Sequence, residues 1–200
     1  MKISFKSNVI AVCAVAAISL FTVGCSKEEA TDPNSSAVTS EMASRNGAPA
    51  PGAQPIAQIA IDAGFTELVS ALVYVDNSLN TGLVDMFMNG TDQYTVFAPT
   101  NAAFQNLYTA LNITQISDLP AELVRDVLLY HVVDGRRAAN SVVPSRGVRN
   151  ISTLLESASF TVNPQGQITA VGNTASITTA NISASNGIIH VIDAVILPIQ

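Results

Sequence analysis

Two residues near the end of the chain could do chemistry: His190 and Asp193, set in the apolar run "NGIIHVIDAVILPIQ" at residues 186–200. An imidazole oriented by a carboxylate can activate a serine hydroxyl or a water for hydrolysis. The spacing argues against such a pair. Successive side chains of a strand face opposite sides, so His190 shares a face with Ile188 and Ile192, and Asp193 with Ile189 and Val191. Apolar residues on both faces predict a strand covered on both sides, where an unpaired polar group costs about 1–3 kcal/mol. His190 and Asp193 are therefore expected to be structural, each with its own partner, tying the last strand to the loop at Thr100 and Asn101.

Other chemistries find less support. "VPSRG" at 143–147 lacks the first glycine of a nucleophile elbow, and there is no glycine loop of the kind that cradles phosphate. The two histidines, His131 and His190, fall on separate predicted strands with no cysteine nearby, and no group of aspartates has calcium-loop spacing. Neither catalytic residues, a metal nor a cofactor is expected. The formal charge is −6 and no Lys or Arg lies between Arg45 and Arg125, so nucleic acid is not an expected partner.

The remaining signal is a charge asymmetry. Arg125, Arg136, Arg137, Arg146 and Arg149 fall within 25 positions, after a part of the domain that carries Asp62, Glu67, Asp76, Asp85 and Asp92 but no base. Arg136 and Arg137 follow the turn residues Asp134 and Gly135, which places them at a strand end. With Tyr130 and His131 one strand's length away, the four are predicted to border one surface suited to an anionic glycan or an acidic protein face, through arginine forks and an aromatic anchor.

The elements that must position these residues begin well inside the chain. Lys2 and Lys6 precede an apolar run at 9–21 that is short for a membrane span, as in a signal peptide covering residues 1–24. The run ends in "FTVGC", which resembles a bacterial lipobox and makes Cys25 the expected lipidation site, although Thr22 stands where that motif usually has Leu. Cys13 falls in the leader, so no disulfide is expected within the mature chain. Residues 25–54, with the lipidated cysteine at their head, are rich in Ser, Ala, Pro and Gly and read as a flexible tether with a reach of roughly 30 Å. The expected location is outside the cytoplasm, with the lipid on Cys25 holding the protein to a bacterial membrane, the outer one in a Gram-negative host.

From residue 55 to 200 the pattern is that of a folded domain. Apolar stripes at helical spacing run through Ile56, Ile59 and Ala60, then Phe65, Leu68, Leu72 and Val73, with Gly64 between them. A further helical piece holds Leu83 to Phe87, "QYTVFAP" reads as a strand, and Thr100 or Asn101 as the cap of a helix carrying Phe104, Leu107 and Leu111. Pro120 opens another helix, which switches near Tyr130 to a strand ended by Asp134 and Gly135. Beyond residue 150 the chain reads as strands throughout, with a hairpin turn at Asn163 to Gly166 and "GIIHVIDAVIL", residues 187–197, as the last strand. Helices followed by strands indicate the α+β class.

Three blocks carry a more specific signal. "YTVFAPTNAAFQNL" (94–107), "LLYHVVDG" (128–135) and "NGIIHVIDAVILP" (186–198) resemble, in order and spacing, the signature blocks of the fasciclin-like domain. The resemblance implies a wedge-shaped β-sandwich with helices packed along one edge, in a family of extracellular adhesion and matrix-binding modules without catalytic activity. It also implicates Tyr130 and His131 in partner contact, and it marks the pair before the last strand. Animal members carry Asp-Ile there. This chain has Asn181 and Ile182, so the acid needed for a metal-dependent integrin contact is missing, and the pair remains only a candidate contact. The expected function is thus a lipid-anchored cell-envelope adhesion or matrix-binding module acting by non-covalent contacts. The alternative is a periplasmic or surface module that binds a small ligand or lipid. A deep apolar pocket would favour the second, a flat charged face the first.

Overall fold

The computed structural model describes residues 49–199; the leader, Cys25 and most of the tether lie outside the described residues. Helices α1 (Ile56–Asp62), α2 (Thr66–Leu79) and α3 (Leu83–Asn89) come first, followed by strand β1 (Tyr94–Pro99) and helix α4 (Asn101–Leu111). A 3₁₀ turn at Ile116–Asp118 leads into α5 (Ala121–Tyr130), β2 (Val132–Asp134) and the short α6 (Ala139–Val142). The rest is strand: β3 (Arg149–Ser152), β4 (Ser159–Val162), β5 (Gln167–Thr169), β6 (Thr174–Ala184) and β7 (Gly187–Ile192).

Local chemistry sets the helix ends. The Thr100 hydroxyl accepts from the Ala103 amide and starts α4. Asp76 takes the Leu83 and Val84 amides at 2.9 and 2.7 Å, so a carboxylate of α2 caps α3. These bonds to the charged form hold the Asp76 carboxyl below its ordinary range, against the opposing effect of burial, which is the largest single influence on it.

The seven strands form one sheet in the order β2-β1-β7-β6-β5-β4-β3. Its centre is the parallel pair β1 and β7, in register from Tyr94 opposite Gly187 to Pro99 opposite Ile192. Only a glycine fits at 187, because a Cβ there would stand 2.1 Å from the Tyr94 carbonyl oxygen. Alternation along the strands then builds two cores. Val96, Val132 and Ile189 face the helices. Phe97, Val133, Ile151, Phe160, Ile168, Ala175 and Ile192, drawn from all seven strands, pack together on the other face. A flat sheet could not gather them, and this one is curled nearly into a barrel. Just past β3, the Leu154 amide donates to the Val132 carbonyl at 2.8 Å, bringing the two ends of the sheet together. The α+β class and the helices along one side agree with the sequence, and the expected sandwich is realised as two halves of one continuous curled sheet.

Two expectations about elements are corrected. The last strand stops at Ile192 rather than running to 197. Residues 49–54, whose composition reads as tether, pack on the domain: the Gly52 amide donates to Ala184 O at 3.1 Å and the Ser185 amide to Gln54 O at 2.8 Å.

Candidate functional site

His190 lies in the middle of β7 and is fully buried, its ring 5.4 Å from that of Phe97. The Asn181 amide donates to His190 Nδ1 at 3.3 Å, and Nε2 lies 3.0 Å from the Arg137 carbonyl oxygen. An N–H can point only at a bare nitrogen, so Nδ1 is the acceptor and Nε2 carries the hydrogen. Burial pushes the imidazole below its ordinary range, which keeps it neutral.

Asp193 lies one residue beyond the strand end and is exposed. Its carboxylate accepts the Ser176 amide at 2.6 Å and tethers the start of β6. It makes no contact with His190, so the two do not form a pair. Nor do they tie the strand to Thr100 and Asn101 as expected. Thr100 caps α4, while Asn101 accepts from the Glu67 amide at 3.2 Å and donates to Gly64 O at 2.9 Å, which locks α2 to α4. The loop meets β7 through the backbone, where the Thr100 amide donates to Ile192 O.

Tyr130 and His131 offer no surface to a partner. Tyr130 is fully buried, and its hydroxyl donates to Ser159 O at 2.8 Å inside the curl of the sheet. His131 is 2% exposed. Its Nε2 accepts the Ile196 amide at 3.0 Å and its Nδ1–H donates to Val127 O at 2.7 Å. Burial takes its pKa down to about 4, partly opposed by the bond to Val127. Arg136 also turns inward. Its guanidinium donates to the carbonyls of Ala184, Gly187, Pro49 and Ala50 and to the Ser183 hydroxyl. The expected four-residue surface is therefore not formed, because three of its members serve the interior. Ile182 packs half-buried against the helical core.

A different pair of candidates does come together. Thr95 is a fully buried threonine in β1 whose hydroxyl donates to Gly135 O at 2.6 Å and accepts the Arg137 amide at 2.8 Å. With His190 holding its carbonyl, the Arg137 backbone is fixed at both ends while its side chain stays exposed. The other side of the same imidazole holds Asn181, which is exposed and left-handed at φ 65°, a conformation asparagine tolerates. The Asn181 side chain accepts the Ala139 amide at 2.8 Å. Arg137 and Asn181 thus flank one surface site, buttressed from below by His190 and Thr95. Thr95 went unread in the sequence, although a hydroxyl inside the apolar "YTVFAP" signals that something must bind it.

The basic cluster is smaller than its sequence suggests. Arg125 pairs with its neighbour Asp126 at 2.7 Å, Arg136 is committed to carbonyls, and Arg149 donates to the Asn140 and Ser141 carbonyls. Arg137 and Arg146 carry the exposed charge of this region. Among the described residues, no group of three His, Cys, Asp or Glu is placed to hold a metal, and no helix is long and apolar enough to cross a membrane.

Two recesses open on the helical side. One of about 150 Å³ lies between α4, α5 and the segment after β7, lined by Leu107, Leu111, Leu123, Val127, Leu197 and Ile199 among others. A smaller one of about 60 Å³ lies among α1, α2 and α3. Leu68, Leu128 and His131 stand between them, and both nitrogens of that imidazole are already bonded. Neither recess therefore presents a free polar atom of the histidine.

The model of the fasciclin domain family matches residues 63–198. Immunogenic protein MPB70 of Mycobacterium bovis is 33% identical over 88% of this chain and 80% of its own length. Protein sll1483 of Synechocystis sp. is 33% identical over 91% and 90% of the two chains, and cell surface glycolipoprotein MPB83 of Mycobacterium bovis 32% identical over 88% and 70%. Among solved structures, the FAS1 domain pair of the insect cell adhesion molecule fasciclin I aligns with a TM-score of 0.46 and 17% identity, over 66% of this chain and 45% of that one. With a family match across most of the folded region and relatives at one-third identity over nearly the whole length, the chain belongs to the fasciclin domain family.

Proposed function

We propose that the protein is a lipid-anchored cell-envelope module that mediates adhesion or matrix association by non-covalent contact, without enzymatic activity. The observation that carries this reading is the rigid presentation of Arg137 beside Asn181: both backbones are fixed from beneath by buried side chains, while both residues remain exposed. With its backbone fixed and its Nε donating to Asp134 O at 3.1 Å, Arg137 has less freedom to lose on contact, and its guanidinium suits a carboxylate or sulfate of a glycan, or an acidic protein face. The "FTVGC" stretch supports an anchor at Cys25, and a relative named as a cell surface glycolipoprotein supports an exported location. Expression on a non-adherent bacterial host should raise attachment to an acidic polysaccharide matrix. Cys25→Ser should release the folded protein into the medium and abolish that attachment. Unchanged attachment of the expressing host would contradict the adhesion reading, and membrane retention of Cys25→Ser would contradict the anchor.

A second reading, binding of a small apolar ligand, is favoured by the recess beside α4 and α5.

A further inference from the structure

We propose that the larger recess binds the alkyl end of a single-chain amphiphile, an assignment that rests on the ligand-binding reading above. The lining is hydrocarbon apart from the His131 ring, and both of its nitrogens are satisfied, one by Val127 O and the other by the Ile196 amide. Nothing inside can recognise a polar group, so the occupant is selected by apolar burial alone. Most of the wall is branched aliphatic, with Phe104 as its one carbocyclic aromatic ring, which suits a flexible chain. At about 150 Å³ the space matches a cavity that takes a benzene ring, hence about six carbons of one chain and not the two tails of a diacyl lipid.

The mouth continues the same chemistry. Leu111 is 47% exposed and Ile199 52%, and both line the recess, so the carbons beyond the sixth have an apolar rim to lie on before the head group reaches water. The wall carrying Ile199 is itself held in place: Asn173 donates to Val195 O at 2.7 Å and accepts the Leu197 amide at 3.0 Å. Val195, Leu197 and Ile199 alternate onto the recess, while Ile196 enters the core inside the curled sheet. The occupant thus sits between two elements whose positions are already fixed, and needs no rearrangement to enter.

The test uses the full chain carrying Cys25→Ser, so that no acyl group of its own competes, titrated with 1-butanol, 1-hexanol, 1-octanol and octanoate while leucine and valine methyl signals are followed by NMR. Saturable shifts should appear at Leu107, Leu111, Leu123 and Val127. Affinity should rise about fourfold per methylene up to six carbons and then flatten, with octanol and octanoate binding within a fewfold of each other. Leu123→Trp, which fills the space, should abolish the shifts, and Ile199→Asp, an exposed change that leaves the core untouched, should weaken octanoate at least fivefold. Binding by the parent that persists in both folded variants would overturn this site and leave ligand binding to another one. Absence of saturable binding by the parent would overturn the inference outright. Mass spectrometry of organic extracts of the chain purified from its native envelope then judges the broader reading, which falls if no small molecule is retained.

Discussion

A buried histidine that spends one nitrogen as donor and the other as acceptor serves a fold only while it is neutral. His131 and His190 both do this, with opposite tautomers: His131 donates from Nδ1 and His190 from Nε2. A second proton would set an N–H against the Ile196 amide in one case and the Asn181 amide in the other. The unfolded chain takes up that proton near pH 6.5, whereas folded His131 resists it until about pH 4. Stability from this group is therefore complete above about 6.5 and is lost as pH falls towards 4, by an amount on the order of 3 kcal/mol. Urea melts at pH 7 and pH 4.5 should show the loss. In His131→Gln the drop between the two should shrink although stability at pH 7 is lower, and an undiminished drop would assign it to other groups. His190 adds a loss of the same sign. Strand phase separates His190 from Asp193 in the sequence, yet the partners of His190 are backbone groups 53 and 9 positions away, which no periodicity reveals. Asp193 was misplaced because the apolar run continues past the point where the strand ends.

Among the elements, the helices and the central strands were legible because a stripe at 3.6 residues or a bounded apolar run states the element locally. The parallel pairing of β1 with β7 and the closure of the sheet were not, since they join segments far apart in sequence. The same blindness hid the start of the domain. Residues 49–54 have the composition of a tether, and what makes them structure is Arg136, which lies 87 positions from Pro49. The guanidinium gathers carbonyls of this segment, Ala184 and Gly187 without a carboxylate partner, so the fork geometry rather than the charge alone matters. The segment also lies close against β6, where a Cβ on Gly52 would come 2.2 Å from Ser183 O. Arg136→Lys keeps the charge but cannot span these acceptors, and should cost about 1–3 kcal/mol. Hydrogen exchange at the Gly52 and Ser185 amides should speed up more than at the Ile189 amide in the central strand. Equal acceleration everywhere would mean that Arg136 supports the whole fold and not this strap.

At the scale of the whole molecule, a net charge of −6 surrounds a region where most arginines are consumed internally. What survives at the surface is Arg146 and, on a rigid mount, Arg137, and the sequence could not separate Arg137 from Arg136 next door, which has the same side chain and the opposite orientation. Adhesion through Arg137 must be electrostatic in part, and exposed attractions are screened over about 8 Å at physiological ionic strength. Binding of the full chain to an acidic partner surface should therefore weaken as salt rises, and Arg137→Glu should remove most of the salt-dependent part with little change in melting temperature, because the buried contacts to Thr95 and His190 come from the Arg137 backbone and its side chain gives the fold one exposed bond, from Nε to Asp134 O at 3.1 Å. The most direct test of the adhesion account is this comparison: beads coated with the parent or with Arg137→Glu, their attachment to immobilised acidic polysaccharide measured across a salt series. The account predicts at least a tenfold loss of attachment for the variant at low salt and convergence of the two at high salt. Equal attachment at every salt concentration, by variants shown to be equally folded, would contradict it.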